Sequence, residues 1–203
     1  TIGDTQETTI SGNLNINASG QVTFSKLNDA SIRSVGIDAD SQVKFEETNN
    51  TVISRGIDVN APSQVTLDTL TDVLTGPIDI NADGQVNIIT NSSVVSGDIA
   101  VPSAGGEITI NIADSDISGG ITTKNEDQVK LTLTEESAVG KAIDIDTNSQ
   151  VDVDFETASL TDDLTITTDS QVKLSLTQST VDGTVSIKSQ SQVEVTLEGA
   201  SIS

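Results

Sequence analysis

The chain has 203 residues, 31 of them acidic and 9 basic, for a formal charge of −22, and it holds no Cys, His, Met, Trp or Tyr. That balance leaves no basic face for nucleic acid or an anionic membrane surface, and three Phe residues are too few for the stacking platforms that bases and sugar rings use. Without Cys and His there are no disulfides, no thiol chemistry, no ordinary zinc site and no His-based triad, and no stretch approaches the roughly 20 apolar residues of a membrane span.

High charge with modest apolar content usually signals disorder. Here the apolar residues recur at fixed intervals, which disorder does not produce. A Gln, once a Glu, followed by a β-branched residue returns at Gln21, Gln42, Gln64, Gln85, Glu107, Gln128, Gln150, Gln171 and Gln192. The step from Gln21 to Gln42 is 21 residues and from Gln42 to Gln64 it is 22, and later steps repeat these two values. A period of this length, with strand alternation and no helical pattern inside it, predicts a β-solenoid.

Each unit spells three apolar bursts in chain order. The first is an apolar-x-apolar pair, opening at Leu14/Ile16 and returning at Ile57/Val59, Ile78/Ile80, Ile143/Ile145, Leu164/Ile166 and Val185/Ile187. The second starts one residue after the Gln, at Val22/Phe24, Val43/Phe45, Val65/Leu67 and Val86/Ile88, and lengthens later to Val129/Leu131/Leu133, Val151/Val153/Phe155, Val172/Leu174/Leu176 and Val193/Val195/Leu197. The third is short: Ile32, Val52, Val94, Ile117, Val139, Leu160, Val181 and Ile202. Gly often follows it, as at Gly12, Gly36, Gly56, Gly76, Gly97, Gly140 and Gly183, which suits a corner where φ is positive or backbones crowd.

Three strands and three corners per unit predict an all-β fold, a right-handed parallel β-helix (β-solenoid) of about nine three-stranded coils of 21–22 residues. At roughly 4.8 Å per coil the rod would stand on the order of 43 Å tall. Residues 1–203 read as a single solenoid. Thr9-Ile10-Ser11-Gly12 matches the phase of Thr180-Val181-Asp182-Gly183, and the chain stops in that same phase at Ser201-Ile202-Ser203. With no polar cap legible at either end, the expectation is a fragment of a longer solenoid.

The Gln column is expected outward or at a corner, where stacked amides bond one another up the rod; the competing use is a ligand-binding amide stripe. Asp38, Asp58, Asn60, Asp79, Asn81, Asp144 and Asp146 alternate with buried Ile and Val, so they are expected along one outer face as an acidic and polar stripe. Either the stripe is a solvated face that keeps the rod soluble, or it is a contact surface. Asp79-Ile80-Asn81-Ala82-Asp83-Gly84 also spells the first half of an EF-hand loop, with Asp79, Asn81 and Asp83 as weak calcium candidates, but its twelfth position is Thr90 instead of Glu. No other cofactor is expected.

An enzyme is not expected. Asp144/Asp146, Asp152/Asp154 and Asp162/Asp163 are paired carboxylates of the kind glycosidases use, without the aromatic and basic residues of a saccharide cleft. An ice-binding face would need a regular Thr column. The residues between the paired apolar positions instead run Asn15, Gly36, Asp58, Asp79, Ala100, Thr122, Asp144, Thr165, Ser186.

Ser92-Ser93-Val94-Val95-Ser96-Gly97-Asp98-Ile99, and Asp116-Ile117-Ser118-Gly119-Gly120-Ile121 followed by Gln128-Val129-Lys130-Leu131-Thr132-Leu133, resemble the repeat units of bacterial autotransporter passenger domains, over roughly residues 9–203. The likeness extends to the pertactin-like and self-associating adhesin branches, and two-partner secreted haemagglutinins share similar units. It implies export through an outer-membrane barrel and a cell-surface, outer-membrane-attached rod for adhesion, aggregation or biofilm formation. Partners would be a host-cell or bacterial surface receptor or other copies of the rod, with no membrane insertion by this segment. The alternatives are a passive stalk of a surface or phage-fibre protein and, behind it, a carbohydrate-active β-helix enzyme.

Overall fold

The computed structural model describes residues 2–203; Thr1, at the start of the predicted solenoid, lies outside the described residues. Those residues form strands and turns without a helix, wound as a parallel β-solenoid of about nine turns that matches the expected right-handed β-helix. Three faces result. The first carries segments 14–18 and 35–39, then Ile57–Ala61, Ile78–Ala82, Ile99–Ala104, Ile121–Asn125, Ile143–Thr147, Leu164–Thr168 and Val185–Ser189. The second opens with Ile2–Gln6 and Val22–Asn28, passes through Val43–Phe45 and Val65–Thr71, and runs to Val193–Glu198. The third is made of two-residue strands such as Val52–Ile53, Leu74–Thr75 and Val94–Val95. Thr9–Ala18 and Ser31–Ala39 run unbroken round the corner between third and first faces, joining these faces into one sheet.

Parallel pairing sets like on like. Ile57, Val59 and Ala61 sit against Ile78, Ile80 and Ala82 of the next coil, and the intervening Asp58 and Asn60 against Asp79 and Asn81. Alternation of side chains across a strand sends the first set inward and the second out. The inward columns of all three faces fuse into one continuous core of Val, Ile and Leu, in which burying each such side chain contributes about 1.5–3 kcal/mol. Phe24 stacks on Phe45 with ring centroids 4.3 Å apart and planes at 15°, and Leu67 continues that column.

The third face corrects the expected core at two positions. Val52 and Val94 point outward and are exposed, and the inward residues are their neighbours Ile53 and Val95, with Thr75 between them. The inward column runs Ile32, Ile53, Thr75, Val95, Ile117, Val139, Leu160, Val181. Val193, Val195, Leu197 and Ile202 keep the inward phase but are exposed in the last coil.

The glycine expectation holds at one corner, and another corner is built differently. The turn from second to third face takes its left-handed residue from Asp29, Asn50, Asp72, Ser92 and Asp114, with φ between 46° and 51°. Short polar side chains tolerate that region by bonding locally. Next to it stands a small buried residue, a hydroxyl in several coils. Ser115 Oγ accepts the Ser93 N–H and donates to Ala113 O, and Ser137 Oγ accepts the Ser115 N–H. At the corner between third and first faces, Gly56 has a positive φ, 98°, and backbone crowds Gly56, Gly76, Gly140 and Gly183, while Gly36 lies within the strand Ser31–Ala39. Gly76 is there because backbones crowd: a Cβ would lie 2.7 Å from Arg55 C.

The buried hydroxyls give opposed stability predictions. Thr123 sits in the inward column between Val101 and Ile145, with its Oγ1 unpartnered. Thr123→Val should therefore stabilise by about 1 kcal/mol, and Ser115→Ala, which strands the Ser93 N–H, should cost about 1–3 kcal/mol. Denaturation midpoints in urea moving up for the first and down for the second are the expected result.

Candidate interaction face

The first face carries every residue of the predicted stripe, in two outward columns. One runs Asn15, Gly36, Asp58, Asp79, Ala100, Thr122, Asp144, Thr165, Ser186. The other holds Asn17, Asp38, Asn60, Asn81, then Ser103 after a bulge, and in later coils Lys124, Asp146, Thr167, Lys188. The stripe is not continuous. Asp38, Asp58, Asn60, Asp79 and Asn81 form one patch, and Asp144 and Asp146 lie three coil steps beyond Asp79, about 14 Å along the rod. Ala100 and Thr122 fill the gap in the first column, with Ser103 and Lys124 beside them.

The patch is partly self-satisfied. Asn60 Nδ2 donates to Asp38 Oδ1 at 3.4 Å, and Asn81 Nδ2 to Asn60 Oδ1 at 3.4 Å. Asp58 and Asp79 are different, because they are like charges in register with no amide between them. Partial burial pushes the Asp79 carboxyl above its ordinary 3.8, and the neighbouring Asp58 charge adds to the rise.

The EF-hand-like spelling lies along a strand and its exit. Asp79 and Asn81 sit on Ile78–Ala82, two residues apart in extended chain, and Asp83 follows at the corner. Extended spacing holds such ligands about 7 Å apart, whereas a calcium loop curls them round one ion. Among the described residues no three acidic side chains converge as a metal-binding group.

Asp83 and Asp146 instead line opposite ends of one recess, at a place that sequence reading missed. Pro102 and Ser103 bulge the strand Ile99–Ala104, and the ladder slips on both sides of it. The result is an open recess of about 440 Å³ at the corner between first and second faces, lined along several coils by Asp83, Lys124, Glu126 and Asp146. The signal was the Pro interrupting an otherwise regular first burst.

The other carboxylate pairs are spread by the fold. Asp152 stands on the flat second face between Lys130 and Lys173. Asp162 and Asp163 form a corner, where Asp163 Oδ1 accepts the Thr184 N–H at 2.7 Å and Asp162 Oδ1 the Asp163 N–H at 2.9 Å. The Gln column is an amide ladder in its first coils. Gln21 donates to Gln42 at 2.7 Å, Gln42 to Gln64 at 2.6 Å, and Gln64 to Gln85 at 3.5 Å.

Asp79 has a sign that can be checked. A carboxyl raised above its unfolded value favours the native state while protonated, below pH 3.8, and loses that contribution as pH rises through the folded value. Asp79→Asn should therefore stabilise the rod slightly at pH 7, the gain being small because water screens exposed carboxylates. Urea titrations at pH 7 and pH 3 should show the gain only at the higher pH. Comparison of the chain with protein-family models, with curated proteins and with solved structures found no match, so the geometry of the rod is the ground for its function.

Proposed function

We propose that the protein is a non-enzymatic segment of a cell-surface rod, and that its first face is a contact surface for a receptor or for other rods. The observation that carries the reading is the register. Outward residues repeat coil after coil in straight columns over a fully buried apolar core, which makes a long, flat, polar surface suited to extended contacts. The resemblance of its units to autotransporter passengers supports the same reading, that of a rod on a bacterial exterior. On such a surface the Asp38–Asp58–Asp79 patch, broken from Asp144 and Asp146, offers two anionic stations for a basic or calcium-bridged partner.

A passive stalk is the second reading. It is favoured by the Gln and Asn ladders, whose amides bond one another up the rod and stabilise stacking with no ligand.

Triple substitution Asp58→Ala, Asp79→Ala and Asp144→Ala separates the two, since all three side chains are exposed and none supports the core. For the contact-surface reading, cell binding or cell aggregation by the displayed rod should fall about tenfold or more, with the far-ultraviolet spectrum unchanged. Calcium and chelator arms report whether a cation bridges the contact. Unaltered binding in every arm would make the rod a stalk.

A further inference from the structure

The third face carries an apolar ladder that the core does not use. Val52, Leu74 and Val94 occupy the same outward position in three consecutive coils and are 37%, 47% and 41% exposed. The rest of that column is small or polar: Ser31 before them, then Asp116, Ala138, Ser159 and Thr180 after them. Single exposed apolar side chains are ordinary, but stacked at about 4.8 Å they make one continuous strip on a strongly charged rod.

The two corners beside the strip have opposite charge. At the strand exits stand Arg33 and Arg55, the only arginines of the chain, in adjacent coils with Arg55 N bonded to Arg33 O. Both are exposed, and neither forms an ion pair among the described residues. At the strand entrances stand the left-handed residues Asp29, Asn50 and Asp72, also exposed.

We propose that this face binds a second copy of the chain, with the two rods side by side and parallel about a two-fold axis along their length. The inference uses a different face from the functional proposal above and stands without it. In that arrangement each coil meets the same coil of its partner and facing strands run in opposite directions, so strand exits lie over strand entrances. Leu74 meets its own copy at the centre; at both edges Arg33 falls against the partner's Asp29, and Arg55 against the partner's Asn50 with the partner's Asp72 one coil, about 4.8 Å, away and within reach of its long side chain. The same patch is used twice, as an isologous contact requires. At physiological ionic strength charges beyond about 8 Å are screened, which leaves the pairing at both edges opposed chiefly by Asp116, two coils beyond Leu74, where each copy meets its own. So small a contact belongs to the transient class below about 1,200 Å² of buried surface.

Sedimentation equilibrium of the whole chain over a wide concentration range tests this. Wild type should show a reversible monomer–dimer equilibrium, and Leu74→Asp, which puts at this position the residue its column already holds at Asp116, should weaken it by about tenfold or more. Two charge variants are decisive. R33E/R55E alone and D29K/D72K alone each place like charges across both edges and should be monomeric. Mixed, they place Glu against Lys at one edge and Arg against Asp at the other, and should recover the dimer. A monomeric wild type would overturn the proposal, as would a dimer unaffected by Leu74→Asp. A mixture that stays monomeric while wild type dimerises would overturn the parallel two-fold geometry.

Discussion

Everything in this rod depends on one constraint, the parallel hydrogen-bonded register of each coil on the next. A strand such as Ile143–Thr147 pairs residue for residue with Ile121–Asn125 on one side and Leu164–Thr168 on the other. Its inward side chains can then only meet the inward side chains of its neighbours. With a side-chain period of two, a slip of one residue would turn Ile143, Ile145 and Thr147 to water and Asp144 and Asp146 to the core. Burying two unpaired carboxylates is far more costly than any gain from rearrangement. The alternation of charge and hydrocarbon therefore enforces the register, and the register builds the columns.

Units of 21 and 22 residues share one register because corners, and bulges within Val65–Thr71 and Ile99–Ala104, absorb the difference. On the second-to-third corner, a left-handed residue and a small or hydroxyl-bearing neighbour recur, as at Asp114 and Ser115 or Gln178 and Ser179. The buried hydroxyl takes a backbone N–H from the adjacent coil, as Ser179 Oγ does from Ala158 at 3.1 Å. One side chain thus satisfies a donor that the turn removes from the ladder. On the first-to-second corner the inward residue changes from Ala in early coils to Thr147 and Thr168 later, and their hydroxyls donate to Asp127 O and Ser149 O of the preceding coil. Where the corner logic is interrupted, at Pro102 and Ser103, the surface opens into a recess.

The long strands were legible in the sequence because their alternation is unambiguous. The alternation after Gln128, Gln150 and Gln171 has one amphipathic reading, and Val129, Leu131 and Leu133 are all buried. The third face was not legible in its middle coils for the opposite reason. Val52-Ile53 and Val94-Val95 are apolar on both sides, so two residues carry no phase, and Leu74-Thr75 points the misleading way, with the Leu out and the Thr in. Register with flanking coils decides such pairs. Gly marks the third-to-first corner, whereas the signal of the second-to-third corner is a short polar residue followed by a small one, spaced like the Gln column. The outward phase of the stripe is legible from its alternation, but columns one coil deep do not show how far apart Asp79 and Asp144 fall.

Stacking identical phases should be ruinous for a chain of this charge, since each acidic residue risks another directly above it. Most columns avoid this by interleaving. On the second face Thr109, Lys130, Asp152, Lys173 and Glu194 follow one another, so that every charge from Lys130 onward has opposite or neutral neighbours. In the second column of the first face Asn60 and Asn81 follow Asp38 and donate back along it. Asp58 on Asp79 breaks the rule, and its charge adds to the rise that partial burial gives the Asp79 carboxyl. Val52, Leu74 and Val94 break the complementary rule that outward columns are polar. Both exceptions fall in the same coils, on adjacent faces of one stretch of rod. A solenoid needs neither for its own stability, so this stretch is where contact with something outside the coil stack would repay the cost.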